Sequence, residues 1–309
     1  MIEFVDIFAS YDKDTPILKG LNCTINDGDF VAFVGTNGAG KSTTMRLING
    51  LLKPDSGEVL IDGIPTTHYK TSDLAKRVGF LFQNPDAQIC CSTVYEELCF
   101  GFKALDSFDE EAERRVGEII EQFGFHADDD PFLLNRGTRQ LLALASIVVL
   151  APPVVVLDEP TTGLDYRECV KVMDIIRQLH EAGTTVIMVC HDMEVVADFA
   201  DQVIVMTDGQ VLAQGPTFEV LRNHTVMEQA SLVPPQIVSI ANELEEKCSG
   251  LSNQAKAEAI FKANTIDEMC EAIAAYKGLS YSGPRGMEAA VGVADTTDEL
   301  NDAKGGSHE

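Results

Sequence analysis

Gly35-Thr36-Asn37-Gly38-Ala39-Gly40-Lys41-Ser42-Thr43 follows directly on the apolar run Phe30-Val31-Ala32-Phe33-Val34. The nine residues satisfy G-x-x-x-x-G-K-[ST], a pattern whose backbone N–H groups turn inward around an anion. The glycines permit that turn because no Cβ stands in the way. Lys41 is placed to reach the β- and γ-phosphates of a nucleotide, and the Ser42 hydroxyl to ligate Mg²⁺. Met45 and Ile48 follow at helical spacing and Gly50 supplies a stop, so the phosphates are expected at a helix N-terminus. Strand, loop and helix in that order read as a nucleotide site rather than a glycine-rich turn with a surface lysine.

Upstream, Ile2-Glu3-Phe4-Val5 and Ile17 to Ile25 read as strands, and Asn26-Asp27-Gly28-Asp29 as the turn before the glycine loop. Tyr11 lies between the first two strands among polar neighbours, where an aromatic ring is able to stack on a base. Downstream, Val78-Gly79-Phe80-Leu81-Phe82 is a short apolar strand stopped near Pro85. It leaves the Gln83 amide at its C-terminal end, where ligands collect in α/β sheets. Ser107-Phe108-Asp109-Glu110 reads as a capping box before a helix closed by Gly124. Asn135 is expected to N-cap a buried helix from Arg136 to about Leu150.

Val154-Val155-Val156-Leu157 then delivers Asp158 and Glu159, and Thr185 to Val189 leads to Cys190-His191-Asp192. Strands apolar on both faces signal a parallel sheet. Thr207-Asp208-Gly209 carries the Asp-Gly signal of a hairpin. Between about 228 and 278 only helix signals remain, including Thr265 to Glu268 as a capping box. From Ser280 Gly, Ser, Asp and Thr dominate, and disorder is expected. The expected fold is therefore α/β, with an N-terminal antiparallel β part, a mixed or parallel sheet core and a helical insertion. The expected divisions are 1–225 (helical part about 84–150), a helical appendage at 226–279 and an acidic tail at 280–309.

The 309 residues carry a formal net charge of −26, which argues against non-specific binding to nucleic acid or anionic lipid. Met1 to Asp6 lacks a basic run, so no signal peptide is expected, and no apolar run is long enough to span a bilayer. The eight cysteines show neither CxxC nor zinc-finger spacing. Cys90-Cys91 are adjacent, which suits neither ordinary bridges nor a common metal site, and reduced thiols are the expectation.

Lys41 and Ser42, Asp158 and Glu159, His191 and Gln83 thus gather at strand ends. Together they fit metal-assisted phosphoanhydride hydrolysis. Asp158 completes a Mg²⁺ site with Ser42, and Glu159 polarises the attacking water. His191 is placed to contact the γ-phosphate and that water, while Gln83 bridges Mg²⁺ and a moving loop.

Over roughly residues 1 to 220 the chain resembles an ABC-type ATPase subunit, a P-loop NTPase. Tyr11 matches the A-loop, GTNGAGKST the Walker A motif, Gln83 the Q-loop and VVVLDE the Walker B motif. Gly163-Leu164-Asp165 matches the D-loop and His191 the switch histidine. The resemblance implies ATP, with Mg²⁺, bound between two subunits arranged head to tail. Each completes the other's site with its signature motif, here Asn135 and Gly137, and with Asp165.

Phe82 to Gln88 (FQNPDAQ), Thr161 to Asp165 (TTGLD) and the Pro-Pro-initiated C-terminal helices are similar to the ATPase of energy-coupling-factor transporters. That class takes up vitamins or cobalt and nickel ions. The resemblance implies a transmembrane coupling component docked near Gln83 to Gln88 and a separate substrate-binding membrane component. It also implies C-terminal helices that hold the dimer, and a peripheral position on the cytoplasmic face of the membrane.

The signature departs from the family pattern. LSGGQ, or LSKGE in this subfamily, is here Leu134-Asn135-Arg136-Gly137-Thr138, and Leu141 stands where arginine is common. Asn135 keeps an amide donor and a helix cap, and Arg136 keeps the charge of the variant. Two readings stay open, a transport ATPase or a largely non-hydrolytic ATP-dependent clamp. A soluble ABC ATPase acting on ribosomes or DNA is disfavoured by the acidity and by the lack of a second nucleotide domain. The dimer partner is either a second copy or a paralogue.

Overall fold

The computed structural model describes residues 1–12, 15–248, 254–279 and 281. The expected tail at 280–309 lies outside the described residues except for Tyr281. Two compact units are present, Met1–Gln236 and Ile237–Glu309.

In the first unit the order is β1 (Ile2–Ser10), β2 (Pro16–Ile25), β3 (Phe30–Gly35), α1 (Lys41–Ile48), β4 (Ser56–Ile61) and β5 (Ile64–Pro65). There follow α2 (Thr71–Ala75), β6 (Val78–Leu81), α3 (Val94–Ala104), α4 (Glu110–Phe123), α5 (Arg136–Val148) and β7 (Val154–Asp158). The unit closes with α6 (Tyr166–Glu181), β8 (Thr185–Val189), α7 (Met193–Phe199), β9 (Gln202–Thr207), β10 (Gln210–Pro216), α8 (Thr217–Leu221) and α9 (His224–Gln229). The second unit holds α10 (Gln236–Cys248, which begins at the boundary), α11 (Gln254–Phe261) and α12 (Ile266–Lys277).

One sheet, ordered β2-β1-β4-β5, is antiparallel. The other, ordered β10-β9-β3-β8-β7-β6, is parallel except for the β9–β10 hairpin. Asp208 (φ 47) and Gly209 (φ 80) make that hairpin's turn, both in the left-handed region that a tight two-residue turn demands.

Alternation along the parallel strands divides the core into two layers. Val34, Leu157, Met188 and Val205 face the helical side with Leu98, Leu144 and Ile176. Phe33, Val156, Ile187 and Ile204 face the side shared with α1 and the antiparallel sheet. All eight strand residues have essentially no exposed surface. This double burial is why the strands read as unbroken apolar runs rather than as alternating ones.

Several boundaries differ from the sequence expectation. α4 is capped by Asp109, whose carboxylate accepts from Ala112 N–H, rather than by Ser107. At α12, Thr265 accepts from Glu268 N–H, but the Glu268 carboxylate accepts from Asn264 N–H, so no reciprocal box forms. The first unit continues past 225 to Gln236, because Leu221, Met227 and Ala230 are buried in its main core. In the second unit Ala241, Ile260, Phe261, Ala263 and Met269 form a small core of their own.

Candidate nucleotide site

The C-terminal ends of β3, β6, β7 and β8 lie side by side, and their register sets the site. Leu81 pairs with Leu157, so Gln83 and Glu159, two residues further on, stand at the same height. Asp158 pairs with Val189, which brings His191 alongside them.

The glycine loop leaves β3 through Gly35 (φ 144), where an added Cβ would sit 2.2 Å from the Met206 carbonyl oxygen. Gly40 (φ 100) is the N-cap of α1, and an added Cβ would meet Leu18 at 2.6 Å. No side chain caps α1, so its first N–H groups are left for an anion. Thr36, Asn37 and Gly38 form the exposed crest of the loop, while Ala39, Lys41 and Thr43 are buried. Lys41 Nζ donates to the carbonyls of Gly35 (2.7 Å) and Thr36 (3.0 Å). Burial lowers the Lys41 pKa, and the nearby Glu159 and Asp158 carboxylates oppose that shift.

Ser42 Oγ donates to Asp158 Oδ1 over 3.1 Å. Asp158 is 8% exposed. Burial raises its pKa; the Ser42 hydrogen bond works against this, while repulsion from Glu159 adds to it. Glu159 itself takes a left-handed φ of 53°, rare for a residue with a long side chain, with its N–H bonded to Val189 O at 3.0 Å. Three partners hold its carboxylate. Gln83 Nε2 (2.7 Å) and Thr162 Oγ1 (2.9 Å) donate to Oε2, and His191 Nε2 lies 2.9 Å from Oε1. A backbone held in that region at a cluster of polar side chains is characteristic of a functional constraint.

Asn135 Oδ1 accepts from Thr138 N–H at 2.8 Å, capping α5. A Cβ added to Gly137 would lie 1.8 Å from Glu168 Oε1. Glu168 belongs to the capping box of α6, in which Asp165 Oδ1 accepts from Glu168 N–H. Tyr11 is 56% exposed and accepts a hydrogen bond from Arg46 at 2.8 Å, with the guanidinium 5.7 Å from the ring centroid. Tyr11, Asn135, Gly137 and Asp165 are not hydrogen-bonded to the Ser42–Asp158–Glu159 group.

Sequence reasoning missed Thr162, Gln140 and Arg46, and saw Arg136 only as the charge of the signature. Thr162 holds Glu159; it lies inside the TTGLD stretch but carries no pattern of its own. Gln140, 3% exposed, donates to Pro160 O at 3.1 Å, and Arg136 donates to Thr162 O at 3.2 Å. These two bonds join the N-terminal half of α5 to the turn after Glu159. Arg46 had no signal beyond helical position. A cavity of 610 Å³ opens beside Glu159 and His191 and runs past Cys169, Met173, Val195 and Phe199. The glycine loop does not line it.

An anion-cradling loop at a helix start, a hydroxyl–carboxylate pair and a tethered glutamate define a P-loop nucleotide-binding protein. Residues 18–162 match the ABC transporter family model. An energy-coupling factor transporter ATP-binding protein, EcfA, of Methanothermobacter thermautotrophicus is 39% identical over 249 residues, which cover 79% of this chain and 80% of the relative. A Pyrococcus abyssi protein assigned as an ABC transporter ATP-binding protein is 40% identical, over 79% of this chain and 94% of the relative. The chain spans 43% of the length of a similarly assigned relative from Caldanaerobacter subterraneus that is 40% identical to it.

Among solved structures, cbiO1 of Clostridium perfringens, described as part of the ABC transporter complex cbiONQ, is 32% identical. It aligns with a TM-score of 0.65 over 79% of this chain and 98% of that one. A dimeric ATP-binding cassette bound to ADP and Pi is 30% identical, with a TM-score of 0.62 over 70% of this chain and 99% of that one. The chain belongs to the ABC transporter family, as one of its ATP-binding proteins.

Proposed function

We propose that the chain hydrolyses ATP to ADP and phosphate as the motor subunit of an energy-coupling-factor type uptake transporter. The observation that carries this is the Glu159 carboxylate, held by Gln83, Thr162 and His191 beside the Ser42–Asp158 pair. The glycine loop and the N-terminus of α1 bind the triphosphate, and Lys41 exchanges its carbonyl partners for phosphate oxygens. Tyr11 stacks on the adenine. Glu159 accepts a proton from the attacking water at its carboxylate oxygens, and His191 and Gln83 fix that carboxylate in place.

Ser42 and Asp158 suit Mg²⁺. They offer hard oxygen donors 3.1 Å apart, and Asp158 is a carboxylate whose pKa is raised by burial, a cost that a bound cation offsets. When bound, the ion supplies charge neutralisation on the phosphate oxygens. Gln83 is the further group from this chain that would approach it.

A second ATP-binding subunit arranged head to tail closes the site. Its Asn135 amide, Gly137 N–H and Asp165 face the nucleotide; the helix cap uses the Asn135 oxygen, which leaves the amide nitrogen as a donor and supports a working signature. The EcfA relatives and the cbiONQ description of a similar structure support a transmembrane coupling component and a substrate-binding membrane component. The cargo is then a vitamin or a cobalt or nickel ion. Among the described residues no helix is long and apolar enough to cross a membrane, which suits a peripheral subunit on the cytoplasmic face.

Affinity purification from a detergent extract tests this reading. ATPase activity recovered with a membrane protein is expected; recovery with ribosomes or nucleic acid instead overturns it.

A further inference from the structure

We propose that Cys90, Cys91 and Glu97 form a binding site for a thiophilic divalent cation of the Zn²⁺ class. The two thiols and one carboxylate oxygen of Glu97 lie within 4.8 Å of one another. Tetrahedral zinc, with bonds of about 2.3 Å to sulfur and about 2.1 Å to oxygen, sets its donors about 3.5–3.8 Å apart, inside that limit. Small side-chain rotations close the remainder, and water completes a four-coordinate shell.

The Glu97 environment gives a reason to expect a cation. Glu97 is 3% exposed, yet no lysine, arginine or histidine among the described residues forms an ion pair with it. Its Oε2 accepts both the Cys90 and Cys91 N–H groups, each at 2.9 Å. Those bonds satisfy part of the carboxylate and fold the two-cysteine turn onto the start of α3, where Thr93 caps the helix. A buried carboxylate without a counter-charge is costly, and a cation bridging it to two thiolates removes that cost.

Donor chemistry selects the ion. Two sulfurs and one carboxylate favour a soft or borderline metal over Mg²⁺ or Ca²⁺, which require mostly oxygen ligands. Cys90 is exposed, so the site opens to solvent, and a chain of net charge −26 attracts cations. Binding displaces one proton from each thiol to solvent, so that M²⁺ and two thiols give the dithiolate complex and two protons, with no change of oxidation state.

The site also has a structural consequence. The segment from Gln83 to Cys91 is anchored midway, where Gln88 donates to Ala143 O at 2.9 Å. A bound ion adds to the Glu97 hydrogen bonds that already fasten its far end to α3. The inference stands apart from the transport reading, and its failure leaves the nucleotide site untouched.

The test is titration of the reduced full-length protein with Cd²⁺, followed by thiolate-to-metal absorption in the ultraviolet, and with Zn²⁺ against a chromophoric chelator. One equivalent is expected to bind, with proton release. Cys90→Ser/Cys91→Ser is expected to abolish that equivalent, and Glu97→Gln to weaken it about tenfold or more. Cys90→Ala, at an exposed position, is expected to weaken binding without altering the fold, which circular dichroism checks. Absence of binding in the wild type, or undiminished binding in the double variant or in Glu97→Gln, overturns the proposal.

Discussion

Gln83 Nε2 donates to Glu159 Oε2 over 2.7 Å, across the ends of two neighbouring parallel strands. The contact couples the segment that follows β6 to the residue read here as the general base. Any movement of that segment changes how firmly Glu159 is held.

Removing the tether tests this coupling. In Gln83→Ala, Thr162 and His191 still hold Glu159, so the carboxylate remains but its orientation loosens. Turnover is expected to fall about tenfold, the equivalent of roughly 1.5 kcal/mol for a hydrogen bond to a charged group. KM for ATP is expected to rise less than turnover falls, because the glycine loop and Lys41 are unchanged and only the Gln83 contribution to the Mg²⁺ site is lost. Steady-state kinetics of the assembled transporter check this.

Asp158 carries a stability cost that its function requires. Its folded pKa lies above the unfolded value because burial disfavours the charged form. The native state therefore holds the proton more tightly, and stability falls as pH rises from the unfolded toward the folded pKa. Above that window the cost is fully present. Asp158→Asn is accordingly expected to raise the melting temperature of the nucleotide-free protein at pH 7, with the advantage shrinking as the pH drops through the carboxylate range. The same variant is expected to lose ATPase activity. Thermal melts across pH and a turnover assay decide it.

Asn135 serves α5 as a cap whatever its role across a dimer interface. Asn135→Ala is expected to cost about 1 kcal/mol, lowering the melting temperature by about 2–4 °C, and to reduce turnover. Asn135→Ser restores a cap and a hydroxyl donor. It is expected to recover both quantities, and a variant that recovers stability but not turnover would separate the two roles.

Much of this site was readable from the chain because its parts are local. An apolar run ending in glycines, Lys41 and Ser42, or in Asp158 and Glu159, announces a buried strand delivering polar groups to a sheet edge. The Asn135 cap and the Asp208-Gly209 turn were legible for the same reason, since each depends on a few adjacent residues. What escaped depends on turn geometry or on distant partners. The hold of Thr162 on Glu159 rests on a turn after β7, and Gln140 reaches Pro160 twenty positions away. The nearness of Glu97 to the vicinal cysteines was likewise not legible, because it depends on the turn that leads into α3. The division after Gln236 was not legible, because the short helices α8 and α9 show where apolar residues lie but not which body covers them.

The central claim is that Glu159 activates the water that cleaves ATP, and single-turnover hydrolysis by the assembled protein tests it most directly. Glu159→Gln keeps the size of the side chain and one acceptor oxygen but removes its charge and basicity. ATP binding is expected to persist while hydrolysis slows by about a hundredfold or more. Hydrolysis by Glu159→Gln at the wild-type rate would contradict the account.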